Sequence, residues 1–354
     1  RNLEYWLRDL KRAGHDLADG DQARLRELRQ RLIELQVAFN SNLDEWDDAI
    51  EMTRADLAGL PDAYIERLAP GAAEGTYRVS MDYPDYIPFI EEAEDRELRR
   101  RMQFKFWNRA AEVNTPLMAE AVAVRYEIAS LLGYDTWAEY AMEVKMADPD
   151  GVDALYASII PDLTSRATQE LAVLQDLANV DLDNDTIRSW DWMYYHTQQR
   201  RQDFGIDQNE VAEYFPLETV VNGMFEITGE VLGLEYREVA ETRAWHEDVR
   251  LYAIHNAGDH EPVAYFYADL FPREGKFGHA ACFSITGGMR KRDGSYRPPV
   301  SAVVANFTKP GPDSPSLLKH DEALTLFHEF GHVLHFSLTT VDHPRFAGFN
   351  TEWD

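Results

Sequence analysis

The sequence predicts a mostly α protein with a small β-sheet inserted just before its last helix. Three observations carry this. Apolar residues recur at three- and four-residue spacing through the first two thirds of the chain, β-rich runs cluster after Trp245, and helical spacing returns at Leu317.

Residues 21–57 place Leu25, Leu28, Leu32, Leu35 and Phe39 on one helical face, and Gly59 and Pro61 break the pattern. TYRVSMDYP then reads as a short extended piece ending at Pro84. Helical patterns follow over 91–113 and 116–132, the second stopped by Gly133. The run Arg99–Arg101, set between Glu97 and Phe104, reads as the solvated face of an amphipathic helix. Another helix is expected at about 150–178, ending in the turn DLDND. In SWDWMYYHTQQRRQDFG the aromatic residues keep a helical period and are expected in the core. VVNGMFEITGEVLGLEY reads as one more helix. RLYAIHN, PVAYFYADLF, GHAACFSIT and VSAVVANFT are strands by their β-branched and aromatic content and their Gly, Pro and Asp boundaries. After PGPDSP, a helix is expected from Leu317 to Leu338. The organisation is a helical body over 1–244, a β-rich insertion over 245–312 and one special helix within 315–340.

With 354 residues, 45% of them hydrophobic, the chain can bury a sizeable core in one large domain or two. It has 63 acidic residues against 35 basic, a formal net charge of -28. Such a surface repels phosphate backbones and anionic membranes, so no nucleic-acid or membrane partner is expected; it favours solubility and steers cationic peptides inward. A single cysteine, Cys282, excludes an intrachain disulfide and fits a reducing, cytoplasmic setting. No signal peptide and no apolar run of membrane-spanning length is present. RNLEYWLRDL opens the chain as an amphipathic helix without an initiator Met, so a preceding segment is expected.

The chemistry is concentrated in LTLFHEFGHVLHFSL. His328 and His332 lie four residues apart, which on a helix leaves them about 40° apart in azimuth and one turn apart in rise. Both imidazoles can therefore reach one metal ion, and Glu329, about 100° round from His328, can reach a water there without being a ligand. This is the HExxH pattern of zinc hydrolases, with the Glu as general base. Chance supplies a His-acid-x-x-His in such a chain with an expectation of roughly 0.06, so context has to decide. Gly331 costs a helix interior about 1 kcal/mol relative to Ala and asks for a close-packing or functional reason. Apolar residues at 323, 324, 326, 327, 330, 333 and 334 are expected to bury the helix on more than one side, where unliganded histidines would lose hydration without compensation.

For a third ligand, His335 points away from the His328/His332 midline and reads as a packing or supporting residue. The metzincin spacing would need a histidine where Leu338 stands. Glu352, 20 positions after His332, is a candidate on spacing alone.

Beyond the metal motif, YPDYIPFI, LLGYDTWAEY followed by MAD, WDWMYY, IDQNEVAEYFP, AWHEDVRLY, YADLFPREGKFGHAACF and VANFTKPGPDSPSLLKHDEALTLFHEFGHVLH stand in one order along essentially the whole chain. Together they resemble the M3 family of zinc peptidases, the thimet oligopeptidase, neurolysin and oligopeptidase A group. The resemblance implies a zincin-like (neurolysin-like) metallopeptidase fold, here incomplete, and one Zn2+ per chain. It makes His328 and His332 the metal ligands and Glu329 the catalytic acid/base in hydrolysis of internal bonds of short peptides. It also implies a third ligand from a segment resembling FxGxxxxxDFVExPSQ. Aligned on Phe346, Gly348 and Asp354, that glutamate falls three positions beyond Asp354, with Glu352 only a neighbour. A downstream loop rich in tyrosine and glycine and a stretch before Arg1 are likewise expected outside this sequence. Two functions remain open: a zinc endo-oligopeptidase, and a non-catalytic peptide-binding fragment with an incomplete site. The strand GHAACFSIT is expected either to pair its edge with extended peptide or to lie inside the sheet.

Overall fold

In the computed structural model, residues 2–182, 185–205, 208–240, 244–311 and 314–350 are described. Helices hold about half of the chain. In chain order the elements are α1 (Asn2–Arg12), α2 (Asp19–Asp44), β1 (Ala49–Thr53), α3 (Asp62–Glu66), β2 (Ala69–Pro70), β3 (Thr76–Ser80), α4 (Tyr83–Glu92), α5 (Arg96–Trp107) and α6 (Ala111–Leu131). There follow α7 (Trp137–Met142), α8 (Pro149–Ala178), α9 (Trp192–Phe204), α10 (Gln208–Ala212), α11 (Leu217–Leu232), β4 (Leu234–Glu238), β5 (Arg250–Asn256) and β6 (Pro262–Asp269). Last come β7 (Ala281–Thr286), β8 (Met289–Arg290), β9 (Tyr296–Arg297), β10 (Val300–Val304) and α12 (His320–Ser337). No described helix is long and apolar enough to cross a membrane.

Two units divide the chain, one formed by residues 2–48 and 104–179, the other by 49–103 and 180–350. In the first, α2 lies along α6, and the leucine face read from the sequence is its core: Leu25, Leu28 and Leu35 bury against Val124 and Ile128. Paired guanidinium–carboxylate contacts, Arg24 to Glu127 and Arg31 to Glu120, set the register of the two helices on their exposed sides. Thr136 and Glu139 form a capping box that starts α7, and Asp148 caps α8 through the Gly151 N–H.

The second unit holds a three-stranded antiparallel sheet, β1-β3-β2, and a five-stranded mixed sheet in the order β4-β5-β6-β10-β7. Strand β10 runs parallel to β6 and antiparallel to β7, so the chain leaves β6, forms β7 at the sheet edge and returns to fill the gap. The main core is the layer between this sheet and α11 and α12. There Phe330 meets Phe225, Tyr236 and Phe266 at ring separations of 5.6–5.7 Å.

Several sequence expectations shift. Residues 21–57 are not one helix: the helix ends at Asp44, and Ala49–Thr53 pairs with β3. The break between α5 and α6 falls inside 91–113, where buried Ala110 takes a left-handed conformation (φ 53°) that no helix continues through. VVNGMFEITGEVLGLEY is helical only to Leu232. Gly233, at φ 69°, turns the chain so that Leu234–Glu238 becomes the sheet's outer strand β4.

The arginine run is not uniformly solvated either. Arg100 and Arg101 are exposed, but Arg99 is only 1% exposed because protein acceptors replace its water. It donates to the carbonyls of Ala93 (2.7 Å) and Glu94 (3.0 Å) and to the buried Asp191 carboxylate (3.2 Å). Of the aromatic α9 pattern Tyr195 is core, while Trp192 and Phe204 are exposed.

Candidate active site

Helix α12 starts where Lys319 can be tied down twice. Its backbone N–H donates to the Glu322 carboxylate at 2.8 Å, and its Nζ pairs with Glu91 at 2.5 Å. Burial pushes the Glu322 carboxyl up, against the opposing effect of the Lys319 N–H. From there Ala323, Leu326, Phe330, Val333 and Phe336 recur at helical spacing and are buried. The helix is buried on one side, not on several: Leu324 is 56% exposed and Phe327 38%. Gly331 is exposed as well, and a Cβ added there would meet nothing within 4 Å. Close packing within the described residues therefore does not account for this glycine.

His328 and His332 lie away from the core. Their ring centroids are 4.9 Å apart at 84°. Neither ring hydrogen-bonds to another described residue, so their nitrogens keep their lone pairs for a ligand. No third His, Cys, Asp or Glu converges with them among the described residues. Glu352 lies outside those residues. The arrangement suits a metal that takes two imidazoles from one rigid element and further ligands from elsewhere.

The chain beyond α12 folds back over its last turns. Gly348, at φ 54°, sits so close to Phe336 that a Cβ would overlap its ring. This seats Phe349 against His332 (5.7 Å), His335 (6.2 Å) and Phe336 (5.2 Å). His335 is exposed and packs on Phe349.

Helix α12 packs against the edge strand β7, and on this helix lies Glu329. Its charge acts on the Cys282 thiol of β7, which is pushed up to about 12, first by burial and second by this carboxylate. Among the described residues strand β7 pairs with β10 alone, Cys282 opposite Val303, and Phe283, Ser284 and Ile285 are exposed. The structure thus brings three groups together: the histidine pair, the Glu329 carboxylate and the edge of β7. Cys282 was read from the sequence only as a lone thiol. No local signal marks its place beside Glu329, because the two are 47 positions apart and meet only through the order β6-β10-β7.

The loop between β6 and β7 is held from below. Asp269, at the end of β6, accepts from Arg273 (2.7 and 2.9 Å), Trp245 Nε1 (2.8 Å) and Lys276 (2.9 Å). Burial by itself raises this carboxyl, but the three donors outweigh it and hold it at about 2.

The sequence model of Peptidase family M3 matches residues 89–354. Thimet-like oligopeptidase of Dictyostelium discoideum is 33% identical over 100% of this chain and 54% of its own length. Saccharolysin of Saccharomyces cerevisiae is 32% identical over 99% and 52%, and oligopeptidase A of Escherichia coli 33% over 98% and 53%. The chain spans about half the length of these curated relatives. With a family match over most of its residues, its HEFGH helix included, this chain belongs to peptidase family M3.

Proposed function

We propose that this chain carries part of the catalytic region of a zinc-dependent oligopeptidase, zincin-like in fold, that hydrolyses internal bonds of short peptides. One observation supports it above the rest: two imidazoles without hydrogen-bond partners among the described residues stand one turn apart, beside Glu329, on a helix that packs against the sheet's edge strand. The relatives' names, oligopeptidase among them, point the same way.

His328 and His332 would hold the zinc, with a third ligand from a glutamate further along, Glu352 or one beyond Asp354. Bound there, a zinc ion would supply Lewis acidity toward a scissile carbonyl and toward water. Glu329 takes the proton from the attacking water and delivers it to the leaving amine. The edge of β7 offers unpaired peptide groups to an extended substrate, a source of affinity that does not depend on side-chain identity. The single half-buried thiol suits a cytoplasmic setting.

The test is cleavage of a quenched fluorescent peptide, with chelator, zinc add-back and Glu329→Gln. Loss with chelator, recovery with zinc and loss in the variant are expected. Peptide binding without turnover in the unsubstituted, zinc-loaded protein overturns the reading and leaves the non-catalytic alternative.

A further inference from the structure

Directly after the edge strand, the chain forms a small hairpin, β8-β9, whose charge opposes the rest of the molecule. Between residues 290 and 297 it carries Arg290, Lys291, Arg292 and Arg297 against one acid, Asp293, in a chain of net charge -28. Both acids close to the hairpin are already engaged. Asp342 pairs with Arg290 at 2.7 Å, and Asp293 accepts from the Ser295 hydroxyl (2.6 Å) and N–H (2.9 Å). Arg292 and Arg297 form no ion pair among the described residues, and Lys291 has only the nearby charge of Asp293.

Arg297 is the informative one. It is half-buried, its Nη2 donates only to the Gly287 carbonyl at 2.9 Å, and its Nε is buried with no acceptor. A guanidinium N–H buried without an acceptor loses solvation that nothing in the described residues returns. Its planar fork suits a carboxylate. The hairpin is also held in place: Tyr296 donates to the Thr339 carbonyl at 3.0 Å, Lys291 N–H bonds to Ser295 O at 2.8 Å, and Gly288 lies against the Tyr296 ring.

We infer that Arg297, with Lys291 and Arg292 at the hairpin tip, forms a carboxylate-binding subsite at the end of β7, selecting peptides with an acidic group at that distance. This rests on the peptide-binding role proposed above for the β7 edge. From Cys282, beside Glu329, to Gly287 is five residues, or about 16 Å of extended chain. The selected carboxylate therefore lies about five residues from the bond presented to Glu329. A side-chain carboxylate and a terminal one offer the same chemistry.

The experiment uses the full-length protein carrying Glu329→Gln, which binds without turnover, and labelled peptides of about ten residues read by fluorescence anisotropy. One peptide is neutral with a C-terminal amide. A second has Glu about five residues from its centre on either side, and a third has a free C-terminal carboxylate. A carboxylate-bearing peptide is expected to bind about tenfold or more tighter than the neutral one, the size of a charge-assisted hydrogen bond. The gain shrinks with salt and disappears in Arg297→Gln, while the neutral peptide binds both proteins alike. Whether the gain follows Glu or the free terminus identifies the source. If Arg297→Gln does not fold, the exposed double variant Lys291→Gln/Arg292→Gln serves, with the gain reduced severalfold. Equal affinity for all three peptides, or a gain unchanged in these variants, overturns the subsite while leaving the peptidase reading intact. Failure of every peptide to bind, or to be cleaved by the unsubstituted protein, overturns both.

Discussion

Lys276 closes its ammonium on Asp269 at 2.9 Å with a side chain only 3% exposed, and donates as well to the carbonyls of Asp269, Phe271 and Ala305. One cation thus ties together the end of β6, the loop that leads to β7 and the segment after β10. Lys276→Met keeps the shape and removes the donor. It leaves buried acceptors unmet and is expected to destabilise the protein by about 3 kcal/mol, read from denaturant unfolding. Because this loop feeds the edge strand, the variant should also weaken peptide binding.

The same carboxylate gives a pH signature. Asp269 is held at about 2, below an ordinary aspartate, so its contribution to stability is complete above about pH 4 and is lost as the pH falls toward 2. Asp269→Asn should flatten that part of the stability profile and lower stability at neutral pH. Unfolding followed from pH 2 to 7 in parent and variant checks both.

On the proposed reading, with Glu329 as general base, Glu329→Gln should lower turnover of a quenched peptide by about 10²–10⁴-fold. Its melting temperature should stay near the parent's, since Glu329 has no hydrogen bond within the described core. If the two histidines hold zinc as proposed, His332→Ala and His328→Ala should each lower the metal content of the protein.

Two glycines near the site should respond oppositely to alanine. Gly331→Ala has open space and helical backbone, so it should stabilise by about 0.5–1 kcal/mol. A fall in kcat/KM despite that gain would place substrate main chain over Gly331. Gly348→Ala combines a left-handed backbone with overlap on Phe336, and should destabilise by about 1–3 kcal/mol. Thermal unfolding separates the two.

Asp191→Ala leaves Arg99 buried without its carboxylate and should cost about 3–5 kcal/mol. The pair Arg99→Met/Asp191→Leu should recover only part of it: Arg99 is no longer stranded, but Arg96, which also pairs with Asp191, is left with Asp185 alone. A double-mutant cycle in denaturant unfolding measures the coupling.

The sequence by itself determined what depends on local spacing. The leucines of α2, the four strand runs after Trp245 and the HEFGH helix are legible because each is a repeat of 3.6 or 2 residues or a fixed offset on one helix. The histidine pair needed nothing beyond its own helix. Tertiary structure decided the rest, because burial is a property of neighbours. It placed Arg99 inside by supplying Asp191 and the carbonyls of Ala93, Glu94 and Trp190, and left Leu324 and Gly331 exposed where an apolar run suggested cover. By inserting β10 between β6 and β7, it put Cys282 beside Glu329 and Arg297 at the edge strand's end. Those pairings join positions from ten to more than ninety residues apart, and no periodicity within a segment encodes which strand will lie at an edge.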